Sequence, residues 1–66
     1  MKIQLEISND FNAEALAVFC KRITFDDAYN KADGDTEVER KAMAYRMLRA
    51  FSELETALAE AGFSPR

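Results

Sequence analysis

The chain has 66 residues, 48% apolar and 32% charged, with two glycines, one proline, one cysteine and no histidine. Nine basic residues against twelve acidic ones leave a net charge of -3, which argues against a general affinity for phosphate backbones. This length makes one small domain over residues 1–66, with a core that buries only about 60% of the unfolded surface. Its balance of apolar and charged residues favours order over disorder. A lone cysteine cannot form an intrachain disulfide, so a reducing, cytoplasmic setting is expected. No apolar run has the length of a signal peptide core or a membrane span.

From the N-terminus, Lys2, Ile3, Gln4, Leu5, Glu6 and Ile7 alternate polar with branched apolar residues, the pattern of a half-buried β-strand. Ser8 to Asp10 break the pattern. Asn12 then reads as a helix N-cap, with Phe11 placed to staple onto Leu16 and the helix starting near Ala13. Leu16, Phe19, Cys20 and Ile23 form its apolar stripe, and Lys21 and Arg22 suit the carbonyl end of the helix, which should stop at Arg22 or Ile23. Thr24 reads as a second N-cap, followed by the acids Asp26 and Asp27 and a short helix to Tyr29 or Lys31. The β-branched and aromatic run Arg22 to Phe25 is also compatible with an extended segment.

Asp33-Gly34-Asp35 signals a turn, and Thr36 with Glu39 fits a capping box. The longest helix is predicted from Glu37 to Ala61, closed by Gly62 at C′, with Phe63 folding back and Pro65 preventing continuation. Along it, Ala44, Met47, Phe51, Leu54, Leu58 and Ala61 form the main apolar row, and Val38, Ala42, Tyr45 and Leu48 a second, drifting one. Such a rod of roughly 37 Å overreaches a globule whose expected radius of gyration is about 11 Å. The predicted fold class is therefore α+β, mostly α: an N-terminal strand followed by two or three helices, the last one long. The strand needs a partner, either residues 22–26 of the same chain or a second copy.

The absence of histidine removes the commonest general base, the commonest metal ligand and every Ser-His or Cys-His pair. Cys20 lies in a packed stripe and reads as an inert thiol, since the adjacent Lys21 and Arg22 point to other helix faces. Asp33, Asp35, Glu37 and Glu39 invite a calcium reading, yet Lys31 and Tyr29 stand where an EF-hand loop needs acids. Gly34 and Gly62 form no phosphate loop. No catalytic residue, cofactor site or metal site is expected, and the chain is read as non-enzymatic.

Charge is unevenly placed. Residues 26–39 carry six acids, Asp26, Asp27, Asp33, Asp35, Glu37 and Glu39, against the single base Lys31, a net of -5, so the remainder is net positive. Arg40, Lys41, Arg46 and Arg49 follow on the long helix, where Glu37 with Lys41 and Arg49 with Glu53 stand at i,i+4 spacing. The six acids either cap two helix N-termini and solubilise a loop, or form a partner-binding surface on which spaced carboxylates imitate duplex phosphates.

The stretch Ala15-Leu16-Ala17-Val18-Phe19-Cys20-Lys21-Arg22-Ile23-Thr24-Phe25-Asp26 and the ending Leu58-Ala59-Glu60-Ala61-Gly62-Phe63-Ser64-Pro65-Arg66 resemble short uncharacterised proteins carried by phages and mobile elements of proteobacteria. In size and charge the chain is also similar to the anti-CRISPR proteins. That resemblance implies a phage-type inhibitor in the host cytoplasm. It would block target DNA by binding a bacterial DNA-binding complex, such as a subunit of a CRISPR surveillance complex, and would itself bind neither nucleic acid nor membrane. The alternative is a small structural or accessory phage protein that works by self-association. The expected oligomeric state is correspondingly monomer or homodimer.

Overall fold

The computed structural model of the chain describes residues 1–63. Three α-helices follow an arm without regular secondary structure over residues 1–7: α1 (Asp10–Arg22), α2 (Phe25–Lys31) and α3 (Glu37–Glu60). The expected α+β class gives way to an all-helical chain. Among the described residues there is no strand, because the one candidate partner inside the chain is spent otherwise. Arg22 ends α1, Ile23 is its C-cap and Thr24 is the N-cap of α2, so no run over 22–26 is free to pair with the arm.

Side-chain caps set each helix start. In α1 the cap is Asn9 rather than Asn12: Asn9 Oδ1 accepts from the backbone amide of Asn12 at 2.9 Å. Asn12 is thus the third helical residue, its side chain donating to Ser8 Oγ at 3.0 Å. Starting earlier turns Phe11 outward to 82% exposure, so it cannot staple onto Leu16. Thr24 caps α2 with a reciprocal box, in which its hydroxyl accepts from the Asp27 amide and Asp27 Oδ2 accepts from the Thr24 amide at 3.0 Å. Thr36 Oγ1 caps α3 by accepting from the Glu39 amide at 3.2 Å, but Glu39 reaches past it to accept from the Asp35 amide at 3.0 Å.

The C-terminus of α3 closes as the sequence pattern requires. Gly62 adopts φ 99°, a left-handed conformation that side chains disfavour. Its amide donates to the Ala59 carbonyl at 3.0 Å and that of Phe63 to the Leu58 carbonyl at 2.8 Å, the paired bonds of a Schellman ending. Pro65 lies outside the described residues.

Helix α3 is a spine. Its half-buried and buried positions, Arg40, Met43, Ala44, Met47, Leu48, Phe51, Leu54, Glu55 and Leu58, step by three and four along one face. Met47, Phe51, Leu54 and Leu58 of the predicted main row thus face inward with Ala44, while Ala61 is exposed. From the second row only Leu48 turns in; Val38, Ala42 and Tyr45 face solvent.

Helices α1 and α2 each pack on α3 and, among the described residues, not on each other. One cluster joins Ala13 and Ala17 of α1 to Leu58. The other joins Ala28 and Ala32 to Ala44. These contacts are made largely by alanines, which bring helix axes close but remove little apolar area from water. No large side chain is fully buried. In α1 the apolar stripe sits one step from the predicted one: Cys20 is buried, Leu16 and Ile23 are half-buried, and Phe19 is half exposed, its ring edge-on to Phe51 at 5.7 Å.

The resulting body is open. Its radius of gyration is 13.3 Å, against the roughly 10.8 Å of a compact chain of this length. Its accessible surface is 5594 Å², whereas a monomer of this mass ordinarily exposes about 4,200 Å².

Candidate protein-binding groove

One concavity is built from two parts of the chain that the sequence places far apart. On one wall stand Met1, Ile3, Leu5 and Ile7, the odd residues of the arm. Opposite them are Leu54 and Leu58 with the small Ala50 and Ala57 of α3 and its C-cap Ala61, and Ala13 of α1 and Phe63 also line the groove. The volume is about 700 Å³ and the groove is partly open to solvent. The period-two alternation read from the sequence is therefore real as side-chain placement, with apolar residues on one side and Lys2, Gln4 and Glu6 outside the groove lining.

Hydrogen-bonded pairing is what the arm lacks. Among the described residues, no hydrogen bond involves residues 1–7. Only Ile7 is packed against the α1–α3 cluster; Ile3 is 81% and Leu5 59% exposed. Three exposed polar residues, Asn9, Asp10 and Glu53, join the otherwise apolar lining.

The six acids predicted as a partner site are all exposed, and the structure places them at two helix starts and the loop between. Asp26 and Asp27 are in the first turn of α2, Glu37 and Glu39 in the first turn of α3, and Asp33 and Asp35 flank Gly34. Three of them have local partners: Asp27 in its capping box, Glu39 on the Asp35 amide, and Glu37 on Lys41 at 3.2 Å. Hydrogen bonds from the Thr24 amide and then its hydroxyl hold the Asp27 carboxyl below the usual carboxylate range. Cationic groups stand close by. Arg40 lies over the Tyr29 ring at 4.5 Å and donates through Nε to the Tyr29 carbonyl at 3.2 Å, fixing positive charge against the C-terminal end of α2.

Gly34 has a structural duty in this acidic loop. A Cβ there would lie 2.7 Å from the Arg40 amide nitrogen, so only glycine lets the loop close onto the first turns of α3. Cys20, the other residue with chemical potential, is buried. Burial, with the Glu55 charge behind it, pushes the thiol above its ordinary pKa and away from the reactive thiolate. No three His, Cys, Asp or Glu side chains among the described residues are grouped to hold a metal ion. No helix there is long and apolar enough to cross a membrane.

Residues 1–66 match the family of unknown function DUF7706. The chain belongs to that family. The match begins at Met1, so the arm that forms one wall of the groove lies within the family's domain, together with the three helices. No curated protein and no solved structure matches the chain.

Sequence reasoning missed the groove because its walls are separated by more than forty residues and each looks ordinary alone. The available signal was the alternation in the arm combined with Ala50, Ala57 and Ala61, small residues at spacings of seven and four that thin one flank of α3.

Proposed function

We propose that the chain is a non-enzymatic protein-interaction module whose working surface is the apolar groove between the N-terminal arm and the C-terminal half of α3. The observation that carries this reading is the exposure of Ile3 and Leu5 beside a wall of alanine and leucine, in a chain that exposes about a third more surface than its mass requires. Exposed apolar side chains gathered in one concavity mark a docking surface, whereas the same residues scattered singly would mean nothing. The absence of histidine and the buried, protonated thiol leave the groove without chemistry to perform on what it binds. A benzophenone side chain installed in place of Leu5 tests it in cells: the reading expects a discrete protein adduct on irradiation, absent when the probe replaces the exposed Lys21. A probe at Leu5 that captures nothing contradicts it.

A second reading rests on a different observation, the exposure of all six carboxylates between Asp26 and Glu39. In it the chain is a phage-type, anti-CRISPR-like inhibitor in a bacterial cytoplasm, whose acidic segment occupies a basic DNA-binding groove of a defence complex. Local engagement of Asp27, Glu37 and Glu39 gives that surface a structural job already, which is why the groove ranks first. Reversing Asp33, Asp35 and Asp26 to lysine leaves the capping bonds intact. Unchanged inhibition of target DNA binding by that triple variant removes the second reading.

A further inference from the structure

We infer that the groove is completed by a second copy of this chain, whose residues 1–7 pair with the arm as an antiparallel β-strand about a twofold axis. The inference rests on the groove being an interaction surface and names its occupant.

Three independent features point to the same partner. First, the arm has the pattern of a strand without being one: it alternates with period two, its odd residues line the groove, and no described hydrogen bond uses its backbone. A single extended strand is not stable in water, and a neighbouring strand is what satisfies such an edge. A helix in the groove would bury the side chains and leave the edge unmet.

Second, the arm is complementary to itself in one register. With two copies antiparallel and centred on Gln4, Ile3 stands opposite Leu5 and Met1 opposite Ile7, so every apolar residue of both strands turns to the same face. In that same register Lys2 stands opposite Glu6, twice by symmetry, and Gln4 faces Gln4 across the axis. Opposite charges directly across an antiparallel pair stabilise it, and like charges there destabilise it. Centring the pair on Leu5 instead keeps the apolar face but sets Gln4 against Glu6 and Lys2 against Ser8, losing both ion pairs. One register therefore satisfies the apolar and the charged residues together.

Third, the chain has enough surface to spare. The chain exposes roughly 1,300 Å² more than a compact monomer of its mass, and a stable interface removes about 800 Å² from each partner. A twofold contact uses the same patch on both copies, so it closes at two and needs no further surface from either. Ala50, Ala57 and Ala61 leave space at the groove wall for the incoming apolar side chains.

The test is sedimentation equilibrium of the purified full chain, its charge variants and the benzophenone protein. Lys2 and Glu6 are exposed, so changing them leaves the helical body intact. The inference expects a dimer. Glu6→Lys replaces two attractive pairs with two repulsive ones and should weaken it by about tenfold. The double variant Lys2→Glu with Glu6→Lys restores the pairs with their signs exchanged and should return the dissociation constant to within about twofold of the original. A chain that stays monomeric at millimolar concentration overturns the inference, as does a dimer that ignores Glu6→Lys or is not rescued by the exchange. The Leu5 adduct separates the two levels of the argument. A monomer whose Leu5 probe captures a different protein keeps the groove as an interface and removes the second copy. A monomer whose probe captures nothing removes both.

Discussion

The two halves of α3 have been finished to different degrees. Its N-terminal half is covered on one face by α2: Phe25 stacks near Tyr29 at 5.9 Å and against Tyr45 at 5.0 Å, Met43, Met47 and Leu48 pack on the Ala28–Ala32–Ala44 cluster, and Arg40 ties the carbonyl end of α2 to the spine. Its C-terminal half carries α1 on an alanine contact and leaves a groove beside it, with the arm as a free wall. Aromatic and methionine side chains fill space and bury area, whereas alanines fix distance without burying much. The difference teaches that α2 and α3 stabilise each other within one chain, while the arm's end of the molecule keeps apolar side chains exposed.

Substitutions can break this contrast in order of size. Leu58 is the one large buried residue joining α1 to α3, and Leu58→Ala should cost about 2–5 kcal/mol, enough to unfold a domain this small. If thermal denaturation shows that variant melting with the parent, α1 is not held where the structure puts it. Ala44 is 0% exposed against α2, so Ala44→Leu overfills the covered face and should cost about 1–3 kcal/mol by the same measurement. Its loss should be the same at every protein concentration, because the proposed contact between copies lies at the other half. The melting temperature of the parent chain should itself climb with concentration, as mass action requires of an associating protein.

Smaller effects sharpen the description of the acidic loop. Gly34→Ala drives a methyl group toward the backbone of Arg40 and should lower stability by about 1 kcal/mol or more, with the Arg40–Tyr29 contact loosened in the amide spectrum. Thr24→Ala removes the α2 cap at a cost of about 1 kcal/mol near neutral pH. The pH dependence follows from Asp27. Its carboxyl is depressed in the folded chain, so its contribution is complete above the ordinary carboxylate range and is lost as pH falls through the lower folded value. The stability gap between parent and Thr24→Ala should accordingly narrow in acid, and a gap independent of pH would show that the Thr24 hydroxyl does not donate to Asp27.

Much of this fold was legible before the structure. Thr24 and Thr36 as caps, the end of α1 at Arg22 and Gly62 closing α3 all rest on local hydrogen bonding between residues a few positions apart, which sequence spacing encodes directly. Asn9 was overlooked in favour of Asn12 because two asparagines stand three apart and both are good caps; the earlier one wins by using the later one's amide. The strand was a different kind of error. Alternation in residues 2–7 reports which face is apolar, and the arm obeys it, but pairing depends on a partner that local sequence does not reveal. The six acids lie at two helix starts and the loop between them; Glu39 was expected to cap from its spacing to Thr36 but accepts from the Asp35 amide instead, and the reciprocal box of Asp27 was not anticipated.

Amide hydrogen exchange, followed at low and high protein concentration, tests the central claim most directly. Pairing of two arms predicts that amides within residues 2–6 gain protection as concentration rises, while those in α2 and the first half of α3 stay constant. Amides of the arm that exchange at unprotected rates at both concentrations would contradict the account and leave the arm unpaired in solution.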